Sequence, residues 1–218
     1  MSEFLVRGVP GSPYVRCVVM GLEEKHANWR LVPLQLGEQK APEYLRKHPF
    51  ARIPVIEHGD FVLYESQAIL RYLDRILPEP PLTPRDEHDE ARMNQICGIV
   101  DWYVFKDISA GICFPRLVAP HFGLPVDEAR IAASLAGAEV CVRELARLLG
   151  DREFMAGDSL TLADLMLAPH LAFFGDAQEG VKILGEFPNL LVWIARMKAR
   201  PSMVVTEWGA LAQHVKVA

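Results

Sequence analysis

The stretch PFARIPVIEHGDFVLYESQAILRYL, from Pro49 to Leu73, decides the fold. Ile53-Pro54-Val55-Ile56 is apolar and β-branched, the composition of a buried strand. Proline gives up a ladder N–H, so Pro54 belongs at a strand start, on an edge or at a special site. The pattern predicts two short strands, 54–57 and 61–64, joined by His58-Gly59-Asp60, a hairpin signal. Ser66 then opens a helix to Leu77, with Ile69, Tyr72, Leu73, Ile76 and Leu77 on one face.

Toward the N-terminus, 4–7 reads as a strand and Gly8-Val9-Pro10-Gly11 as a turn-rich loop. Ser12 before Pro13 is an N-cap followed by proline at the first helical position. Tyr14, Val18, Val19 and Leu22 continue at helical spacing to about Lys25. A second strand is expected over 29–36, a polar loop over 37–40 and a short helix over 41–47. The order is βαβαββα.

Toward the C-terminus the composition changes. PEPPLTPRDE, from Pro78, holds four prolines in ten residues and reads as a stiff linker. Beyond it strand alternation stops and helical periodicity takes over, at 86–119, 126–149, 162–174 and 188–199. The expected division is a first domain over 1–78, a linker over 79–86 and an all-helical domain over 87–218. Within the helical part, DSLTLADLML places Thr161 and Asp164 at capping-box spacing, with Leu160 and Leu165 at the staple positions. Helix nucleation is the structural role these two residues suit.

The 218 residues are half hydrophobic and 23% charged, a globular composition. The net charge of −5 sets nucleic acid and anionic membranes aside as main partners. Neither a signal peptide nor a span-length apolar run is visible, so a cytoplasmic protein is expected. Cys17, Cys97, Cys113 and Cys141 form no C-x-x-C pair and have no histidine at zinc spacing. Buried thiols are expected, with no disulfide and no metal.

A small βαβαββα unit, a proline-rich linker and a helical domain together resemble the cytosolic glutathione transferases. The carrying motifs are GSPYVRCV after the first strand, GEQKAPEYLRKHPFARIP, YESQAI at the third helix, and LTLAD in the bundle. The resemblance spans essentially the whole chain. It points to an enzyme of bacterial type with a serine reaction centre, phi-, delta- or theta-like. Gly37-Glu38-Gln39-Lys40 is closest to the Gly-Glu-His-Lys of plant-type phi enzymes. The implied fold is an N-terminal thioredoxin-like α+β domain before an all-α bundle.

The resemblance also implies roles. The peptide bond before Pro54 would be cis, turning the Ile53 backbone outward to pair with the cysteinyl part of glutathione. Ser66 and Glu65 would hold the γ-glutamyl carboxylate and ammonium at a helix N-terminus, where N–H groups are free. Gln39 and Lys40 would hold the glycine carboxylate. Ser12 would donate its O–H to the glutathione sulfur, favouring a thiolate that ionises near pH 8.5 when free; Tyr14 is the alternative hydroxyl. The electrophile pocket would lie between the domains, with Val9, Pro10, Tyr14 and Tyr103 among its walls. Glutathione is then a co-substrate, the second substrate a small, mostly apolar electrophile, and the protein a homodimer. Two other readings stay open on this scaffold. One is a glutathione-dependent isomerase or thiol–disulfide oxidoreductase. The other is a non-catalytic interaction protein.

Overall fold

The computed structural model describes residues 3–35 and 37–213. Contacts divide the chain into two compact units. One runs to Leu82 and takes in the chain from Ala199 onward; the other is Thr83–Lys198.

The first unit is built on four strands: β1 (Phe4–Gly8), β2 (Trp29–Pro33), β3 (Val55–His58) and β4 (Phe61–Tyr64). Their order is β2-β1-β3-β4, with β2 parallel to β1, and β3 antiparallel to both β1 and β4. Burial alternates along β1, where Phe4, Val6 and Gly8 point inward. The helices α1 (Pro13–Glu24) and α3 (Ser66–Ile76) pack together and bury Val15, Val18, Val19 and Leu22 with Ile69, Leu70 and Leu73. A turn at Glu38–Lys40 and the short α2 (Pro42–Leu45) link β2 to β3. Gly8 is needed where β1 meets α1, because a Cβ there would sit 2.4 Å from a Val15 methyl.

Of four strand boundaries that differ from expectation, two lie one residue further on, at Gly8 of β1 and His58 of β3. The β3 ladder starts at Val55 rather than Pro54, since proline has no N–H to give it. The β2 strand stops at Pro33, opposite the last residue of β1, Gly8. Leu36, the expected end of that strand, lies outside the described residues.

The proline-rich stretch is tied to the sheet unit. The buried Lys25 ammonium donates to Asp74 at 2.6 Å and to the Pro80 carbonyl, and Asp74 accepts from Leu82 N–H at 2.9 Å. After Lys198 the chain joins the same unit. Arg200 binds the Glu24 carboxylate with two nitrogens, at 2.9 and 2.8 Å, and Ser202 donates to it as well. This places α9 (Pro201–Val204) against α1, ahead of α10 (Trp208–Gln213).

The second unit is helical. Helix α4 (Glu87–Ile99) runs on as a π-helical stretch, Val100–Val118, and a short 3-10 turn. There follow α5 (Glu128–Leu149), α6 (Leu162–Gly175), α7 (Gln178–Leu184) and α8 (Pro188–Lys198). At seven residues or fewer, α7, α9 and α10 are too short to show periodicity, which is why the sequence does not announce them. Helix α6 is buried on all sides, the signature of a core helix. Among the described residues, no helix is long and apolar enough to cross a membrane. The four cysteines are buried and none forms a disulfide.

The start of α6 holds the helical unit together. Thr161 and Asp164 form a complete capping box. The fully buried Asp164 carboxylate accepts from Thr161 N–H and O–H (2.9 and 2.8 Å), Met155 N–H (2.8 Å) and the Trp193 indole (3.0 Å). Burial pushes the carboxyl above the ordinary aspartate range, against the pull of these four donors. Both oxygens face donors, so the site is built for the charged form. Asp164→Ala strands several of them and should cost about 3–5 kcal/mol, more than a lost cap alone. Chemical denaturation measures the loss, while turnover per folded molecule should stay at the wild-type level.

Candidate active site

The loop after β1 is a type II turn. Val9 C=O accepts from Ser12 N–H at 3.2 Å across Pro10 and Gly11, and Gly11 has the positive φ (83°) that the third position requires. The turn delivers Ser12 to the N-cap of α1, where its carbonyl accepts from Arg16 N–H at 2.9 Å. The Ser12 hydroxyl caps none of the helix's N–H groups. A half-buried hydroxyl thus stands at the positive end of a 12-residue helix without serving it.

The segment before β3 carries the cis peptide Ile53–Pro54. Ile53 lies outside the ladder, which begins at Val55. Ala51 takes a left-handed φ of 52°, and the Tyr44 hydroxyl donates to Arg52 C=O at 2.7 Å. Burial pushes the Tyr44 phenol far above its ordinary range, so this donor keeps its proton.

Between β4 and α3 a single residue makes the connection. Glu65 does so at φ 71° and ψ 112°, in a region L-residues rarely occupy. Its side chain is exposed and caps nothing, whereas Ser66, the first helical residue, is buried. In the turn after β2, the Gln39 amide oxygen accepts from Gly37 N–H at 2.8 Å, so what Gln39 offers outward is its NH2. Lys40 is exposed.

The strand register gathers these residues. Gly8 pairs with Pro33, Arg7 with Val55, and Val55 with Tyr64. The ends of β1, β2 and β4 and the start of β3 therefore lie at one edge of the sheet. Lys40 and Gln39, Ser12, Ile53-Pro54 and Glu65-Ser66 follow from those ends in spatial order. Val9, Pro10 and Tyr14 flank Ser12 at the same edge. Neighbouring strands lie about 4.8 Å apart, so the outer strand ends are about 14 Å from each other. Tyr103 belongs to the helical unit, where it is 58% exposed on the π-helical stretch, and Thr161 and Asp164 stand at the start of α6. A groove of about 400 Å³ between α5 and α7, lined by Glu139, Arg143, Glu179 and Lys182, holds none of these residues.

Sequence reading missed an aromatic cluster behind the edge. His48 is buried against Tyr64, with Tyr44 and Phe50 around it. Phe50, by contrast, is 68% exposed. The one local signal was the crowding of Tyr44, His48, Phe50 and Tyr64 round the Pro54 segment.

Residues 7–81 match the family described as glutathione S-transferase, N-terminal domain, and residues 128–196 that described as glutathione S-transferase, C-terminal domain. A probable glutathione S-transferase GSTF2 of Oryza sativa subsp. japonica is 31% identical over 190 residues, 86% of this chain and 87% of the relative. Glutathione S-transferase III in its apo form superposes with a TM-score of 0.84 at 26% identity, covering 100% of this chain and 99% of the other. Glutathione transferase F7 of Populus trichocarpa gives 0.83 at 25% identity, over 98% and 100%.

The unusual Glu65 backbone has a measurable consequence. Glycine adopts this conformation freely and alanine does not, so Glu65→Gly should be about 1 kcal/mol more stable than Glu65→Ala. Denaturant midpoints of the two variants decide it, and equal stabilities would mean that the connection is unstrained.

Proposed function

The chain belongs to the glutathione S-transferase family, and from that membership we propose that it transfers the glutathione thiolate to small, mostly apolar electrophiles. The observation that carries the residue assignment is the meeting of four strand ends at one sheet edge. An extended tripeptide of about 3.5 Å per residue, lengthened by its γ-linkage, suits the edge. Lys40 and the Gln39 NH2 take the glycine carboxylate at one end. Ser66 and the α3 N-terminus take the γ-glutamyl carboxylate at the other, and the exposed Glu65 carboxylate accepts from the ammonium. Between them the Ile53 peptide, off the β3 ladder, pairs with the cysteinyl backbone.

That register brings the cysteine sulfur to Ser12. The Ser12 hydroxyl donates to the sulfur, and the α1 N-terminus adds partial positive charge, so the thiolate is favoured. The thiol proton leaves to solvent. The sulfur lone pair then forms a C–S bond at the electrophilic carbon, and the leaving group departs with its bonding pair. Holding sulfur beside the electrophile supplies the rest through proximity. Val9, Pro10 and Tyr14 are assigned to the electrophile's side of the sulfur. No metal takes part in this scheme. The protein works as a homodimer in the cytoplasm; the exposed Phe50 ring suits an interface, and four buried cysteines outside any disulfide suit a reducing compartment. Light scattering on Phe50→Ser should show loss of the dimer.

The reading is tested at Ser12. Ser12→Ala should bind glutathione as wild type does, because the carboxylate and ammonium contacts remain. Its turnover at neutral pH should fall, and the pH midpoint of kcat/KM should rise by about one unit, the equivalent of about 1.4 kcal/mol of lost thiolate stabilisation. Ser12→Cys should lose conjugation and gain reduction of a glutathione mixed disulfide, since a thiol at a helix N-terminus ionises readily. Assays with an activated aryl chloride and with that disulfide, run against pH, separate the three proteins. A Ser12→Ala variant that conjugates like wild type at every pH would leave Ser12 a backbone cap and move the role to Tyr14.

A further inference from the structure

His48 is only 1% exposed, though it sits where α2 ends and the Pro54 segment begins. Its N–H donates to Tyr44 C=O at 2.9 Å, and its own C=O accepts from Ala51 N–H at 3.0 Å. The ring lies on Tyr64, centroids 4.4 Å apart and planes 27° from parallel. Tyr64 is the last residue of β4 and directly precedes the left-handed Glu65. One stack therefore spans the two segments assigned above to the cysteinyl and γ-glutamyl parts of glutathione.

The geometry also selects a protonation state. His48 Nδ1 is buried and has no hydrogen-bond partner among the described residues. A neutral imidazole can leave that nitrogen as a bare lone pair, but an imidazolium must carry N–H on both nitrogens. Protonation would bury a charged donor with nothing to accept from it. The neighbours do not compensate. Tyr44 and Phe50 close in at 6.5 and 6.2 Å beside Tyr64. Arg52 brings a further positive charge. The preceding Lys47 is held at 3.1 Å by Glu57 of β3, whose carboxylate also binds Arg7. Glu65 follows Tyr64 in the chain but is exposed. Burial first, and Arg52 second, hold the His48 imidazole below the usual histidine range.

We propose that His48 is a positioning residue, which couples the Pro54 segment to the Glu65 segment only while its ring is neutral. The proposal rests on the glutathione reading of those segments. Above about pH 6.5 the ring is neutral whether the cluster is closed or open, and there is no penalty. As pH falls below that, an opened segment takes a proton that the closed cluster refuses. The stability of the closed cluster is then lost progressively toward the depressed folded value. Glutathione affinity drops with it, well above the range near pH 3.5 where terminal carboxylates titrate.

The test uses S-methylglutathione, which has no thiol proton, and calorimetry across the acid range. For wild type, Kd should rise about tenfold as pH is lowered by one to two units below neutrality. His48→Phe keeps an aromatic stack and removes the titration, so it should bind like wild type at neutral pH with a flat profile. His48→Ala should weaken binding several-fold at every pH while kcat at saturating glutathione changes little. If either variant does not fold, the His48 ring proton is followed by NMR in wild type, where S-methylglutathione should lower its titration midpoint. A flat wild-type profile, a His48→Phe profile identical to wild type, or a midpoint indifferent to the ligand would overturn the proposal alone. Failure of wild type to bind at neutral pH would instead overturn the glutathione reading and the proposal with it.

Discussion

Val6 is the centre of the sheet, paired with Leu31 on one side and Ile56 on the other. That register constrains everything else in the first unit. Because β2 runs with β1 while β3 runs against it, loops remote in sequence are forced to a common edge. A slip by one residue would turn Phe4 and Val6 out of the core and misalign every loop at once. The apolar side chains on the buried face therefore fix the relative places of the residues proposed for glutathione binding. Gly8 adds the last condition, since only a residue without Cβ lets α1, with Ser12 at its N-cap, come this close to the end of the strand.

The helix N-termini divide by use. In the helical unit α4 and α5 are capped by Asp86 and Asp127, and α6 by the Thr161–Asp164 capping box. In the sheet unit, α1 and α3 begin with Ser12 and Glu65, whose side chains cap neither. Capped ends stabilise the bundle. Uncapped ends leave N–H groups and partial positive charge open, as the proposed glutathione site requires. Both helices of the second kind start at the sheet edge where the strand ends converge.

The same edge concentrates unusual backbone. Ala51 and Glu65 are left-handed without being glycine, and Gly11 shapes the turn before Ser12. Such conformations persist where surroundings over-determine them. Here the surroundings are the Tyr44 bond to Arg52 and the His48–Tyr64 stack, which pin both segments from behind. Asp164 plays the corresponding part in the other unit, joining the Met155 loop, the start of α6 and Trp193 of α8.

Much was legible in the sequence because it is written in neighbouring residues. Period-two and helical spacing gave βαβαββα followed by helices, Ser12-Pro13 marked the start of α1, and Thr161 with Asp164 marked that of α6. Pro54 announced a special strand entry because a missing N–H is a property of one residue. The rest needed distant partners. Asp164 reaches Trp193, 29 positions on, and Arg200 returns to Glu24 across 176. Neither spacing leaves a periodic trace, so the grouping of the chain after Ala199 with the sheet unit could not be read beforehand. The burial of His48 and the φ of Glu65 were hidden for the same reason. A local pattern decides which element a residue enters, but the charge, exposure and backbone strain it then bears depend on what folding sets beside it.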